Sequence, residues 1–474
     1  MRKKSLIAAA ALAACGLHAH AQSANAEGAT VRALEHKIDD MASQLQAMKD
    51  ELRALKTENQ QLNAQQQSQA KAQATQDEQV KQLQAAQAST DQAVQQAAAK
   101  PSPLDNLSIF GYGEMGYARP VHDANATRAD LSRAVFGFGY RFDDKTRFAS
   151  EFEVEHAVAS ADDAGEFEVE QFYVEHQFND RLGFKSGLFL MPFGLLNEHH
   201  EPTAYYGVYR NFVETLIIPS TWREGGVALF GNTSGGLDWS AGLTTGLNLS
   251  GWNFLPETPL YGSALEMQTS DSAPFQTSHQ ELSFANAKNL AQYVSLNYRG
   301  MPGLLLGGAV FTGSATPAAG AGSQRTTLWE GHARWTPGKW DLSALYAQGN
   351  ISNTAQVNQR YPGTANPMPA SFKGGYLQAA YNLWQSGEQR ISPFVRAERY
   401  DMGASYRGIA PGFAAPPSTP VTANGQTFAA PRDTVLTTGL NYSLTSNIVF
   451  KADYQWFRHN RNFSRINVGM GLTF

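Results

Sequence analysis

The chain is poor in the features that mark most other classes of protein. Of its 474 residues one is cysteine, Cys15, so a disulfide framework is excluded. Charged residues make up only 17%, against about 25% in ordinary soluble domains, and the net charge of -5 argues against a polyanion-binding protein. No nucleic-acid partner is expected. Nor does any run reach the roughly 18 to 20 consecutive apolar residues of a transmembrane helix, because the one comparable stretch, residues 5–17, is short and sits at the extreme N-terminus. What the chain does have is 42 glycines and 11% aromatic residues. Low charge with abundant glycine and aromatics leaves two candidates: a soluble all-β protein, or strands that alternate lipid-facing and water-facing residues.

The N-terminus reads as a targeting segment followed by a helix. Arg2, Lys3 and Lys4 precede an Ala/Leu run, and Ala19-His20-Ala21 offers small residues for cleavage, which predicts a signal peptide over residues 1–21. Leu12-Ala13-Ala14-Cys15 also resembles a lipoprotein cleavage box, so lipidation of Cys15 stays open. Beyond it Val31, Leu34, Ile38, Met41, Leu45, Met48, Leu52 and Leu55 recur at alternate spacings of three and four, the seam of a coiled coil. Asn59 continues the phase at a position where a polar residue fixes register. The seam then passes into Gln and Ala, which keep helix propensity but weaken the apolar stripe, and Pro101 and Pro103 end it. A periplasmic coiled coil over residues 29–100 is the expectation.

From residue 105 to 474 the pattern changes to segments of about ten residues alternating apolar with small or polar side chains, and we count sixteen. In the last, Ile466, Val468, Met470, Leu472 and Phe474 share one face while Arg465, Asn467, Gly469, Gly471 and Thr473 share the other. The connections alternate between tight turns, such as Asp143-Asp144-Lys145 and Thr445-Ser446-Asn447, and long loops. A soluble sandwich has no reason to obey that alternation, whereas an outer-membrane barrel has short turns on its periplasmic rim and long loops outside. The expected fold is therefore all-β: a transmembrane antiparallel β-barrel of about sixteen strands, in the bacterial outer membrane, preceded by the α-helical coiled coil.

Charge is unevenly distributed around that barrel. Residues 105–290 carry 25 acidic and 11 basic residues, and residues 291–474 carry 7 acidic and 15 basic, so the two halves read -14 and +8. Parity places Arg133, Glu151, Glu153, Glu155, Glu168, Arg334, Arg396, Lys451 and Arg465 on the water side. Either the two walls set up a transverse field across a wet pore, or neighbouring acids and bases pair locally. The connection over residues 191–223 is too apolar for an external loop and is expected to fold inward, with Glu198, His199, His200, Glu201, Arg210, Glu214 and Arg223 at a pore constriction. Histidines there would respond to pH near their ordinary value of about 6.5. Glu198-His199-His200-Glu201 are good ligand types, yet consecutive residues rarely converge on one ion, so no metal or other cofactor is expected. No nucleophile elbow, zinc-protease helix or phosphate loop is present, and no enzymatic activity is expected.

Met191-Pro192-Phe193-Gly194-Leu195, Arg210-Asn211-Phe212-Val213-Glu214 and Pro219-Ser220-Thr221-Trp222-Arg223-Glu224-Gly225-Gly226-Val227 resemble the third-loop region of the phosphate-selective porin O and P family, as does Ser392-Pro393-Phe394-Val395-Arg396. The resemblance implies a homotrimeric sixteen-stranded channel passing anions, in which an N-terminal periplasmic coiled coil has parallels among relatives. The barrel departs from it in carrying 32 acidic against 26 basic residues. The terminal Phe474 resembles the signature read by the barrel-assembly machinery. The function expected is a passive diffusion porin for small hydrophilic solutes or ions, surrounded by outer-membrane lipid. The competing expectation is an envelope tether, with the coil linking the outer membrane to the cell wall and the barrel as anchor.

Overall fold

The computed structural model describes residues 103–158, 165–254, 273–362, 364, 366–409, 422–423, 426–427 and 431–474, together with residues 37, 39–44, 46, 48–52, 56 and 81. Two compact units separate at residues 93 and 94. In the first, every described residue is helical, and Met41, Met48 and Leu52 of the heptad seam are exposed. The remainder of the expected coiled coil over 29–100, and the signal peptide over 1–21, lie outside the described residues.

The second unit is a closed antiparallel barrel. Among the described residues its strands are β1 (Leu107–Pro120), β2 (Arg128–Arg141), β3 (Thr146–Glu155), β4 (Phe167–Asn179), β5 (Leu182–Leu190), β6 (Arg223–Asn232), β7 (Leu237–Thr245), β8 (Leu290–Tyr298), β9 (Leu304–Ala315), β10 (Gln324–Trp335), β11 (Trp340–Ile351), β12 (Ser371–Tyr381, continued by Trp384–Ser386), β13 (Gln389–Ser405), β14 (Arg432–Ser443), β15 (Ile448–Phe457) and β16 (Arg465–Thr473). Each pairs with the next, and β16 returns to β1, with Tyr112 opposite Thr473 and Pro120 opposite Arg465. Closure leaves no unpaired edge, which strands in hydrocarbon require because lipid offers no hydrogen bonds. All sixteen segments read from the alternation are present.

The side-chain period of two sorts the wall. Phe136, Phe138, Leu377, Val395, Leu436, Phe450, Ile466 and Val468 are exposed on the outer face, while Arg133, Arg396, Lys451 and Arg465 of these strands, and Glu153 of β3, are buried inside. The alternation slips on β4. Glu151 faces Gln171 and Phe152 faces Val169, so Glu170 is an extra residue in a bulge, which lets both Glu170 and Gln171 turn inward.

The interior is filled by its own connections. Residues 191–222, between β5 and β6, fold back through the barrel and bury Met191, Phe193, Phe212, Val213, Ile217 and Trp222. These pack on inward aromatics of the wall: Trp222 on Phe311 of β9 at 4.9 Å, and Phe212 on Phe457 of β15 at 5.4 Å between ring centroids. Phe275 of the connection after β7 adds a contact with Phe372 of β12 at 4.9 Å. The hydrophobic core thus lies inside the barrel and fixes the loop by burial.

Candidate functional site

Where the inward loop crosses the barrel, inward side chains accept its backbone N–H groups. Val208 N–H donates to Asp453 Oδ2 at 2.6 Å, Phe212 N–H to Glu398 Oε2 at 2.6 Å and Gly207 N–H to Asn441 Oδ1 at 3.2 Å. On the adjoining strands β1 and β2, the Tyr205 hydroxyl donates to Glu114 and Arg133 Nη2 donates to the His200 carbonyl at 3.0 Å. A buried peptide group costs about 1 to 3 kcal/mol if left unsatisfied, so these acceptors determine where the loop runs. Asp453, Glu398, Asn441 and Asn197 were not anticipated. Asn197 bonds the Met191 and Trp222 carbonyls at 2.7 and 2.8 Å and receives Trp222 N–H at 2.7 Å, closing the neck of the loop.

The expected constriction residues divide. Glu198 and His199 are exposed, and Glu201 and Arg210 are half-buried. Glu214 is buried within the loop and faces no aperture: its Oε1 accepts Leu195 and Leu196 N–H at 2.5 and 2.8 Å, its Oε2 the Asn211 amide at 2.7 Å and the Tyr376 hydroxyl at 2.9 Å. Burial pushes its carboxyl up, against the pull of those donors. His200 is likewise packed inward. Its Nδ1 sits 2.9 Å from the Asn197 carbonyl and its Nε2 2.6 Å from the Tyr112 hydroxyl. Burial first, then the neighbouring Arg133 guanidinium, push the imidazole down to about 3, so it is neutral near pH 6.5 rather than titrating there. Glu198 and His199 are exposed whereas His200 is buried, so the consecutive residues sit in different surroundings.

Beside the loop is a cavity of about 460 Å³, bordered by Glu155, Glu166, Glu168 and Glu281 and by Arg133, Arg210, Arg223 and Arg465. Most of these charges are paired. Arg133 bridges Glu114 at 2.8 Å and approaches Glu153 at 3.7 Å. Arg223 bridges Glu168 and, at 3.0 Å, Glu281. Elsewhere on the wall Arg396 donates to Glu398 at 3.1 Å, and Arg334 grips Asp341 in a two-pronged pair at 3.0 and 2.7 Å. Each of these arginines is paired locally. Charges buried in a filled interior must be neutralised by neighbours, because few waters remain to screen them. Arg210 differs: its one hydrogen bond among the described residues is to Thr221 Oγ1, at 3.1 Å, which leaves the guanidinium fork facing the cavity. Lys451 lies under the loop with its ammonium 3.5 Å from the centre of the Tyr205 ring. Glu151 accepts the Gln171 amide at 2.5 Å.

Among the described residues one group has metal-ligating spacing, Glu153, Glu168 and Glu170, with an oxygen of each within 4.8 Å of the others. Glu170 also receives the Tyr112 hydroxyl at 3.2 Å. No described helix is long and apolar enough to cross a membrane.

No family model matches the chain. It is 28% identical over 357 residues, 73% of its length and 75% of the relative's, to an uncharacterized protein of Aquifex aeolicus. Among solved structures it resembles OmpF of Salmonella typhi in complex with daunomycin (13% identity, TM-score 0.48, 78% of this chain and 98% of that one). It also resembles the outer membrane channel DcaP of Acinetobacter baumannii (10%, 0.47, 78% and 97%) and the anion-selective porin from Comamonas acidovorans (13%, 0.46, 78% and 99%).

Proposed function

We propose that this protein is an outer-membrane porin, a channel for passive diffusion of small hydrophilic solutes in which the inward loop sets the aperture. The observation that carries the reading is a closed barrel, apolar outside and charged inside, with a loop held across its lumen by side chains of the wall. A fold serving only as an anchor has no need of a charged cavity beside such a loop. Within the cavity Arg210 is the group we assign to a passing carboxylate or phosphate, and exposed Glu166 to the cationic part of a solute. This favours solutes bearing both charges, with phosphate selectivity resting on the loop motifs alone. The exposed seam of Met41, Met48 and Leu52 supports pairing of the N-terminal helix with copies of itself in a coiled-coil homotrimer, in the periplasm on this reading.

Single-channel recording in planar bilayers tests the proposal: the full chain should give ohmic steps in KCl, and a variant lacking residues 30–100 should give nearly the same steps. Absence of conductance from the folded barrel would leave the tether as the better reading.

A further inference from the structure

Among the described residues, basic side chains on the outer face of the barrel cluster on four neighbouring strands, beside single ones at Arg119 and Arg325. Lys373 on β12, Arg399 on β13, Arg432 on β14 and Arg458 just beyond β15 are all exposed on the outward parity. Register makes them neighbours. Arg399 lies opposite Gly375 on one side and Thr434 on the other, Arg458 N–H donates to the Thr434 carbonyl, and Asp401 sits between Lys373 and Arg432. Strands about 4.8 Å apart bring all five charges within roughly 15 Å. Four cations and one anion leave an excess of positive charge. None of the four basic side chains makes an ion pair with a described residue, and Asp401 accepts the Gly403 N–H.

All four stand at the rim of the long loops, since β12 and β14 begin there and β13 and β15 end there. Directly below them the same face becomes apolar, with Leu436, Val395, Leu377 and Trp456. The opposite rim of this face has Trp335, Trp340 and Trp384 in place of basic residues. A groove of about 400 Å³ opens two residues from Arg399, at Ala397, and runs between Leu377, Val395 and Leu342 over the small side chains of Ala344 and Ala379.

Repulsion among four cations at a membrane boundary is costly unless anions intervene, and arginine forks are shaped to hold phosphate oxygens two at a time. We propose that this face binds an anionic, phosphorylated lipid of the leaflet on the long-loop side, its phosphates on Arg399, Arg432, Lys373 and Arg458 and an acyl chain in the groove below. The inference rests on the membrane orientation of the porin reading but not on conduction, because these residues face away from the lumen.

The test is native mass spectrometry of the full chain in detergent, titrated with diphosphoryl lipid A, its dephosphorylated counterpart, or inorganic pyrophosphate. The diphosphoryl lipid should be retained and the other two should not. The variant Lys373→Gln/Arg399→Gln/Arg432→Gln/Arg458→Gln should lose on the order of 10³-fold in affinity, and Arg399→Gln alone about fivefold, at about 1 kcal/mol per basic group near an anionic surface. Both should keep wild-type conductance steps, which shows that the barrel is folded and separates this proposal from the channel reading. Equal retention by the variants or of the dephosphorylated lipid, or equal binding of pyrophosphate, would overturn it. So would efficient disulfide formation between copies by Leu377→Cys in a Cys15→Ser background, since a second copy would then cover the face.

Discussion

The carboxylate of Glu214 occupies the space that Gly194 leaves by having no side chain: a Cβ built on Gly194 would lie 2.3 Å from Glu214 Oε1. Gly194 has φ of 71°, in the left-handed region, and the turn it makes presents Leu195 and Leu196 N–H to that same oxygen. One acid twenty residues downstream thereby holds the inward loop's first turn, while Tyr376 of β12 ties it to the wall.

Gly194→Ala should therefore release the loop without unfolding the barrel. The added methyl meets both a disfavoured φ, costing about 1 kcal/mol, and a carboxylate oxygen that cannot retreat without surrendering its donors at about 1 to 3 kcal/mol. Single-channel traces should show larger and noisier steps than wild type, with unchanged heat-resistant migration of the folded barrel. Steps of wild-type size and noise would show that this turn does not define the aperture.

Asp453→Ala removes the acceptor of Val208 N–H and the partner of Asn467 Nδ2, which donates to it at 2.7 Å. A hydrogen bond to a charged acceptor contributes about 1.5 to 3 kcal/mol, so the middle of the loop should loosen by that order. Hydrogen exchange at residues 205–209 should quicken about tenfold or more. Equal exchange in variant and wild type would mean that packing of the loop, not this contact, holds it.

Acid should undock the loop through His200. Its imidazole is held down to about 3 when docked, and an undocked imidazole titrates near 6.5, so between those values the undocked form binds the extra proton and docking weakens as pH falls. The groups facing it are Tyr112 and Glu170 of the wall, Arg133, and the Asn197 carbonyl. Open-channel noise should rise steadily from pH 6.5 toward pH 4 and stay flatter in His200→Gln. A wild-type profile no steeper than the variant's would remove the histidine from the account.

How much of this was legible beforehand follows from the range of the forces involved. A period of two is local, so sixteen strands, their turns and the faces of Arg133, Glu153, Arg396 and Arg465 could be read directly. The inward course of residues 191–222 was readable because Trp222, Ile217 and Phe212 need burial and lie between strands rather than in one. Partners were not readable. Glu214 was assigned to the aperture because its carboxylate meets Leu195 N–H and Tyr376 only after the loop has folded, and Asp453 looked like any inward acid until Val208 arrived over it. The bulge at Glu170 likewise turns Gln171 and Glu175 inward by a slip of register that alternation alone does not announce.

Selectivity should depend on Arg210, expected at the constriction, and hardly on Arg396, expected on the lumen wall. Arg396 is buried with Glu398, the Tyr206 carbonyl and Gln378 around its guanidinium, so Arg396→Glu would bury two carboxylates side by side and lose folding, a cost of about 3 to 5 kcal/mol for a broken buried pair. Arg210 borders the cavity and, among the described residues, holds only Thr221, so Arg210→Glu changes the charge of the passage by two units while breaking one such hydrogen bond. In a tenfold KCl gradient the reversal potential of Arg210→Glu should move toward the cation limit, and Arg210→Gln should fall between it and wild type. If all three coincide, ions do not pass beside Arg210 and the cavity that it borders is not the conducting path.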